Sequence, residues 1–139
     1  MLIPFKKEHL EVMEMRSHEQ DIMGLSPHIG SILEQSTVSR TGVINGRVVA
    51  CGGVSKNIYG SGEVWLIPSI FLPEHGVTFL RLVKDWLDDV ATAYELKRLQ
   101  TACIDDELHN KYMEYLGFVK EGKMKQYALG QDYCLWARV

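Results

Sequence analysis

Glu63, His75, Asp106, His109, Tyr112 and Tyr115 are the side chains whose types and places could do chemistry. A carboxylate acts as a base when burial raises its pKa or when it works through ordered water. Glu63 opens an apolar run, where a solvated carboxylate at a strand end is an equally good reading. Imidazole titrates in the physiological range. His75 sits in a loop before a helix, so it either meets an anion there or is a plain loop residue, and the plain reading carries more weight. His109 and Tyr112 are three apart and share nearly one face of a short helix. A His on so short a helix is more often structural, and Tyr112 and Tyr115 read first as core and rim. Gly60-Ser61-Gly62 is a turn, since a lone Gly-x-Gly is a weak signal. No CxxC or HExxH spacing offers a metal site.

The element that must position these groups runs from Glu63 to Tyr94. Val64 to Ile67 is a short apolar strand between Gly62 and Pro68, and Phe71-Leu72-Pro73-Glu74-His75-Gly76 follows as a tight loop. From Val77 to Tyr94, Phe79, Leu82, Val83, Trp86, Leu87, Val90, Ala91 and Tyr94 recur at helical spacing. Trp65 and Trp86 belong to the core. A helix start carries unpaired N–H groups and the positive end of the dipole, a geometry that can hold phosphate.

The chain has 139 residues, enough for one domain over residues 1–139 with a real core. A net charge of −3 gives no electrostatic reason to expect nucleic acid as a partner. No run is long enough to span a bilayer, so no membrane partner is expected. Met1 to Lys7 lacks the apolar stretch of a signal peptide. Cys51, Cys103 and Cys134 are odd in number and far apart, which reads as three reduced, buried thiols in a cytoplasmic protein.

The remaining elements follow from local signals. Met1 to Pro4 is an edge strand. Lys6 to Arg16 has a ragged helical stripe, and Ser26-Pro27 starts a second helix running to about Gln35. Thr37 to Ile44 and Arg47 to Lys56 form a hairpin about Asn45-Gly46. Gly52-Gly53 inside it marks a bulge or a close backbone approach. Arg98 to Ile104 is a strand, Asp105-Asp106 cap a helix from Glu107 to Leu116, and Gly117 ends it. Phe118 to Tyr127 and Tyr133 to Val139 make a final hairpin. The order β-α-α-β-β-β-α-β-α-β-β predicts an α+β fold with a mixed, mainly antiparallel sheet flanked by helices.

This order, with Tyr115-Leu116-Gly117-Phe118-Val119-Lys120-Glu121-Gly122 after the last helix, resembles the GNAT superfamily of N-acetyltransferases over essentially the whole chain. The resemblance implies acetyl-CoA as co-substrate and a small-molecule or protein amine as acceptor, with direct transfer in a ternary complex. It places the pantetheine arm along Leu66, Ile67, Pro68, Ser69 and Ile70. The pyrophosphate falls on Pro73 to Thr78, including His75, Gly76, Val77 and Thr78. Glu63 stands where many members keep the base. Asp106 replaces an Asn common at the start of the last helix and is carried with the coenzyme residues.

Two departures matter. The family loop Gln/Arg-x-x-Gly-x-Gly/Ala retains only Gly76. Pro73 lacks a donor, and Glu74 would repel a phosphate by on the order of a few kcal/mol in a partly screened site. The usual Tyr acid is Met113, with Tyr112 one step away, about 100° around the helix. Tyr112 is then the available acid and His109 its competitor. The pattern Asp106-x-x-His109-x-x-Tyr112 also resembles small GNAT-like proteins of tailed bacteriophages, one group of which is named as internal virion proteins. The alternative to an acetyltransferase is therefore a GNAT-fold binding or virion component, in host cytoplasm or virion. A homodimer is left open.

Overall fold

The computed structural model describes residues 1–139. The chain forms two compact units, Met1–Ser55 with Val64–Phe79, and Lys56–Glu63 with Leu80–Val139. Strands run in the order β1 (Leu2–Pro4), β2 (Val38–Ile44), β3 (Arg47–Lys56), β4 (Ser61–Pro68), β5 (Arg98–Ile104), β7 (Gln131–Arg138) and β6 (Val119–Ala128) in a mainly antiparallel sheet with one parallel ladder, the α+β class expected. No helix is long and apolar enough to cross a membrane.

In the first unit β1 (Leu2–Pro4) pairs with β2 (Val38–Ile44), which pairs with β3 (Arg47–Lys56). Asn45 and Gly46 have φ of 53° and 75°, the left-handed pair a two-residue hairpin needs. The bulge lies at Gly42/Val43 rather than at Gly52-Gly53. Gly53 instead admits the Trp65 ring: a Cβ there would sit 2.5 Å from Nε1. That nitrogen donates to Ser36 Oγ at 2.9 Å, and the ring packs edge-on against Phe5 at 5.2 Å. Phe5, Met13, Cys51 and Ile67 form the buried cluster beneath it.

The expected helix from Lys6 to Arg16 shrinks to α1 (Glu8–Val12), and a second short helix, α2 (Ser17–Met23), follows where none was expected. Met13 takes extended geometry, and turns into the core. The next helix, α3, spans only Ile29–Glu34. Ser26 does not cap it; its Oγ accepts from His28 N–H at 3.2 Å in a local turn.

β4 (Ser61–Pro68) contributes to both units and leads through a 3-10 turn, Leu72–His75, into α4 (Gly76–Ala93). In α4, Phe79, Leu80, Val83, Leu87 and Val90 are buried, while Leu82 and Trp86 of the expected stripe stay partly open. The second unit adds β5 (Arg98–Ile104), α5 (Glu107–Tyr115), β6 (Val119–Ala128) and β7 (Gln131–Arg138). Asp106 caps α5 by accepting from His109 N–H, and Gly117 ends it at φ 88°. The last hairpin turns on Leu129-Gly130, with Ala128 opposite Gln131.

Candidate active site

The first unit holds the residues expected to bind coenzyme. Ile67, Pro68 and Ser69 are buried, Leu66 is half-buried and Ile70 is exposed. Ser69 N–H donates to Val49 O at 2.9 Å, and Ile70 N–H donates to Glu14 O at 2.9 Å. The segment expected as a loop is helical. Glu74 N–H donates to Phe71 O at 3.2 Å, Gly76 N–H donates to Pro73 O, and Pro73 has no N–H to give. Gly76 has φ −47° and ψ −58°, ordinary helical values, and a Cβ there would meet nothing within 4 Å. Its missing side chain is thus required neither by the backbone nor by packing; it leaves open surface over the first turn of α4. Val77 and Thr78 are exposed beside it, and His75 is half-buried. The Arg47 guanidinium lies 3.9 Å from the centroid of the Phe71 ring, which brings a cation to this segment.

The second unit holds the candidates for proton transfer. β4 pairs with β5 in parallel from Ser61 opposite Arg98 to Glu63 opposite Gln100, and the ladder stops there. Glu63 is exposed, and its carboxylate accepts from the Gln100 side-chain amide. Gln100 Oε1 accepts from Arg98 Nε at 2.7 Å, and Arg98 grips Glu121 through both terminal nitrogens, at 3.0 and 2.5 Å. The Glu121 hydrogen bonds raise the Arg98 pKa, with the Glu63 charge adding to the effect. Glu63 is therefore held in place by a polar relay that runs through Gln100 to Arg98.

Asp106 and His109 form the other polar pair. One oxygen, Asp106 Oδ1, lies 2.8 Å from His109 N and 2.8 Å from His109 Nδ1. A ring nitrogen held by a carboxylate fixes the imidazole orientation. The His109 side chain retains 15% of its exposure. Tyr112 is 7% exposed and Met113 5%, so both are core residues, and the Tyr112 ring stands 6.4 Å from that of His109.

The cysteines take no part. All three are free thiols; Cys51 and Cys134 are buried as expected, whereas Cys103 is half-buried. Burial pushes the Cys51 thiol up to about 11 and Cys103 up to about 12, which keeps the nucleophilic thiolate scarce.

No family model matches this sequence, and no curated protein matches it significantly. Solved structures do match. Ard1 from Thermoplasma volcanium superposes with a TM-score of 0.76 at 14% identity, covering 99% of this chain and 95% of that one. An acetyltransferase of the GNAT family from Bacillus anthracis gives 0.72 at 14%, covering 99% and 93%. This chain has the GNAT fold. The ribosomal-protein-S5-alanine acetyltransferase from Vibrio fischeri, at 21% identity, gives 0.67 and covers 99% and 91%.

Within the GNAT fold, the residues read from the sequence fall into two sets. Leu66 to Ile70 and His75 to Thr78 lie in the first unit, and Glu63, Asp106, His109 and Tyr112 lie in the second. Two features escaped the sequence. Arg47 had no signal beyond its place after a hairpin turn, because its stacking on Phe71 depends on tertiary structure. Gln100 became visible only through its register opposite Glu63.

Proposed function

We propose that this chain transfers an acetyl group from acetyl-CoA to a primary amine, by direct transfer with both bound. The observation that carries the reading is the course of β4. Its ladder to β5 ends at Glu63, and the strand continues to Pro68 before the 3-10 turn and α4. That leaves one backbone edge of Val64 to Pro68 to pair with an extended ligand. The resemblance of the sequence to the GNAT superfamily implies the same use of this strand.

Acetyl-CoA supplies the activated acyl group, and transfer makes a C–N bond as the C–S bond breaks. The residues that hold the coenzyme are Leu66 to Ile70 for the arm and Gly76 to Thr78 for the pyrophosphate. Arg47 offsets what Pro73 and Glu74 remove from that site. Glu63, fixed by Gln100, takes the amine proton through water. His109, oriented by Asp106, returns a proton to the departing thiolate. It displaces Tyr112 from this role because Tyr112 is packed in the core. Positioned proton transfer of this kind contributes about 100-fold or more to rate.

Calorimetric titration with acetyl-CoA tests the reading, followed by release of free CoA thiol over a panel of amines. Binding with amine-dependent thiol release is expected; no heat at millimolar acetyl-CoA sinks it. One observation favours a second reading, a GNAT-fold binding or virion component without catalysis. The N–H groups of Glu74 and Gly76 are already bonded inside the 3-10 turn, where a phosphate would need them.

A further inference from the structure

An open hollow of about 490 Å³ lies in the first unit beside α1, α2 and the end of β4. That size is usual for small-molecule sites, roughly 300–1,000 Å³. Its apolar wall includes Met13, Met15, Met23 and Ile70, and its polar members are Glu14 and Gln20. Half of the six methionines of the chain therefore line one space. Thioether chains are flexible and polarizable, and suit apolar guests of varied shape. Ile70 keeps 42% of its surface exposed there.

The two polar groups are not equivalent. The Gln20 amide already donates to Met15 O at 3.0 Å. The Glu14 carboxylate is exposed and has no ion pair within the protein. Nearby Glu19 is the contrast: it is buried and held by Arg16 at 2.6 Å. One uncompensated carboxylate on a methionine wall matches one cation on an apolar body. Ile70 connects this space to the chemistry, because it also ends the segment assigned to the coenzyme arm. Its N–H is tied to Glu14 O at 2.9 Å.

We propose that this cavity binds the acceptor, and that the acceptor is an apolar primary amine with its ammonium on Glu14 and its carbon chain against Met13, Met15 and Met23. This rests on the acetyl-transfer reading. A polyamine is disfavoured, since each further ammonium would lose water against thioethers and gain no counter-charge. The ammonium loses one proton before its nitrogen attacks the acetyl carbon; as the C–N bond forms and the C–S bond breaks, the nitrogen's second proton balances the one taken up by the departing CoA sulfur.

The test titrates the full chain with butylamine, hexylamine and octylamine, with hexanol and spermidine as controls. Affinity is expected to rise about three- to fourfold per added CH₂. Hexanol should bind at least tenfold more weakly than hexylamine, and spermidine no better than butylamine. Glu14→Gln should cost hexylamine at least tenfold and leave hexanol unchanged, with an unaltered melting temperature as the folding control. A tripeptide with N-terminal leucine separates a peptide terminus from a free amine, and tighter binding of either supports the proposal. Indifference to chain length, or to Glu14→Gln, overturns it. Acetyl-CoA is titrated alongside. If acetyl-CoA binds and spermidine is acetylated while hexylamine is ignored, the cavity assignment falls and acetyl transfer stands. If hexylamine binds as expected and acetyl-CoA does not, the cavity stands as an amine site and the acetyl-transfer reading falls.

Discussion

His109 is held by Asp106 twice, through its backbone N–H and through its ring Nδ1, and both bonds end on the same carboxylate oxygen at 2.8 Å. The first bond caps α5; the second orients the imidazole. A single substitution separates these two jobs. Asn caps a helix about as well as Asp, so Asp106→Asn should leave the melting temperature nearly unchanged. It removes the charged partner that orients the ring through Nδ1, so kcat should fall while acetyl-CoA affinity holds. His109→Ala should cut kcat about 100-fold with acetyl-CoA affinity intact. Glu63→Gln should lower kcat similarly and remove the acidic limb of the profile. If Glu63→Gln keeps full turnover while His109→Ala loses it, the proton leaves through α5 alone.

Gly76 offers a clean probe of the coenzyme site. Neither its backbone angles nor its surroundings require glycine. Gly76→Leu is therefore expected to fold normally, and to gain helix propensity of a few tenths of a kcal/mol or more. Its branched side chain would cover the first turn of α4, and acetyl-CoA should bind at least tenfold more weakly, about 1.4 kcal/mol. Arg47→Met keeps the apolar stem on Phe71 and removes the charge. Its loss of affinity should be larger in low salt than in high, as a screened charge contact requires. Unchanged binding in both variants would place the coenzyme elsewhere.

Gly53 is a packing requirement of the opposite kind. A Cβ at this position would meet the Trp65 ring at 2.5, 2.8 and 2.9 Å, and that ring is held by Ser36 and Phe5. Gly53→Ala should destabilise the fold by about 1–3 kcal/mol, seen as a lower denaturant midpoint. The Gly53→Ala, Trp65→Phe double variant should recover part of the loss by freeing the ring from Ser36.

Lys123 lies between two carboxylates, 3.4 Å from Asp105 and 3.5 Å from Asp132. The Asn110 hydrogen bond and then Lys123 lower the Asp105 pKa. For Asp132 the Gln126 N–H comes first, then Lys123. Groups with depressed folded pKa values contribute stability above their ordinary range, near 3.9, and lose it as pH falls through the folded values. Lys123 itself is raised, chiefly by Asp105, so its share persists below about 10.4 and fades as pH climbs through its folded value. Thermal melts from pH 6 to pH 2.5 should fall more steeply for the native protein than for Lys123→Gln. The difference should shrink at 1 M salt, where screening reaches about 3 Å.

Period and punctuation carried much of the fold into view. The Asn45-Gly46 turn, the spacing from Phe79 to Val90, the Asp106 cap and the Gly117 stop are local signals, and the structure realises each. The N-terminal third was harder to read. Its helices are too short to establish a period, and Met13 interrupts the stripe by turning into the core. Gly52-Gly53 showed that something came close, but not that it was Trp65, which comes from the next strand. The candidate site divides the same way. Glu63 and His109 were visible as types in place, whereas the bonds that fix them, to Gln100 and Asp106 Oδ1, are tertiary facts.

The brevity of α1, α2 and α3 has a consequence for how the protein fluctuates. None has a side-chain hydrogen bond at its cap, and each is far below the roughly 12–15 residues at which a helix holds itself together in water. Their amide protons should exchange with deuterium through local opening, at a small fraction of the global unfolding free energy, while those of β3 and α4 exchange late. Of the methionine wall, Met23 stands on α2, while Met13 is anchored in the core beside Cys51 and Ile67, so the wall is softest on its α2 side. It can breathe around guests of different girth without disturbing the strand beside it, so selection by size should be loose there and selection by charge strict.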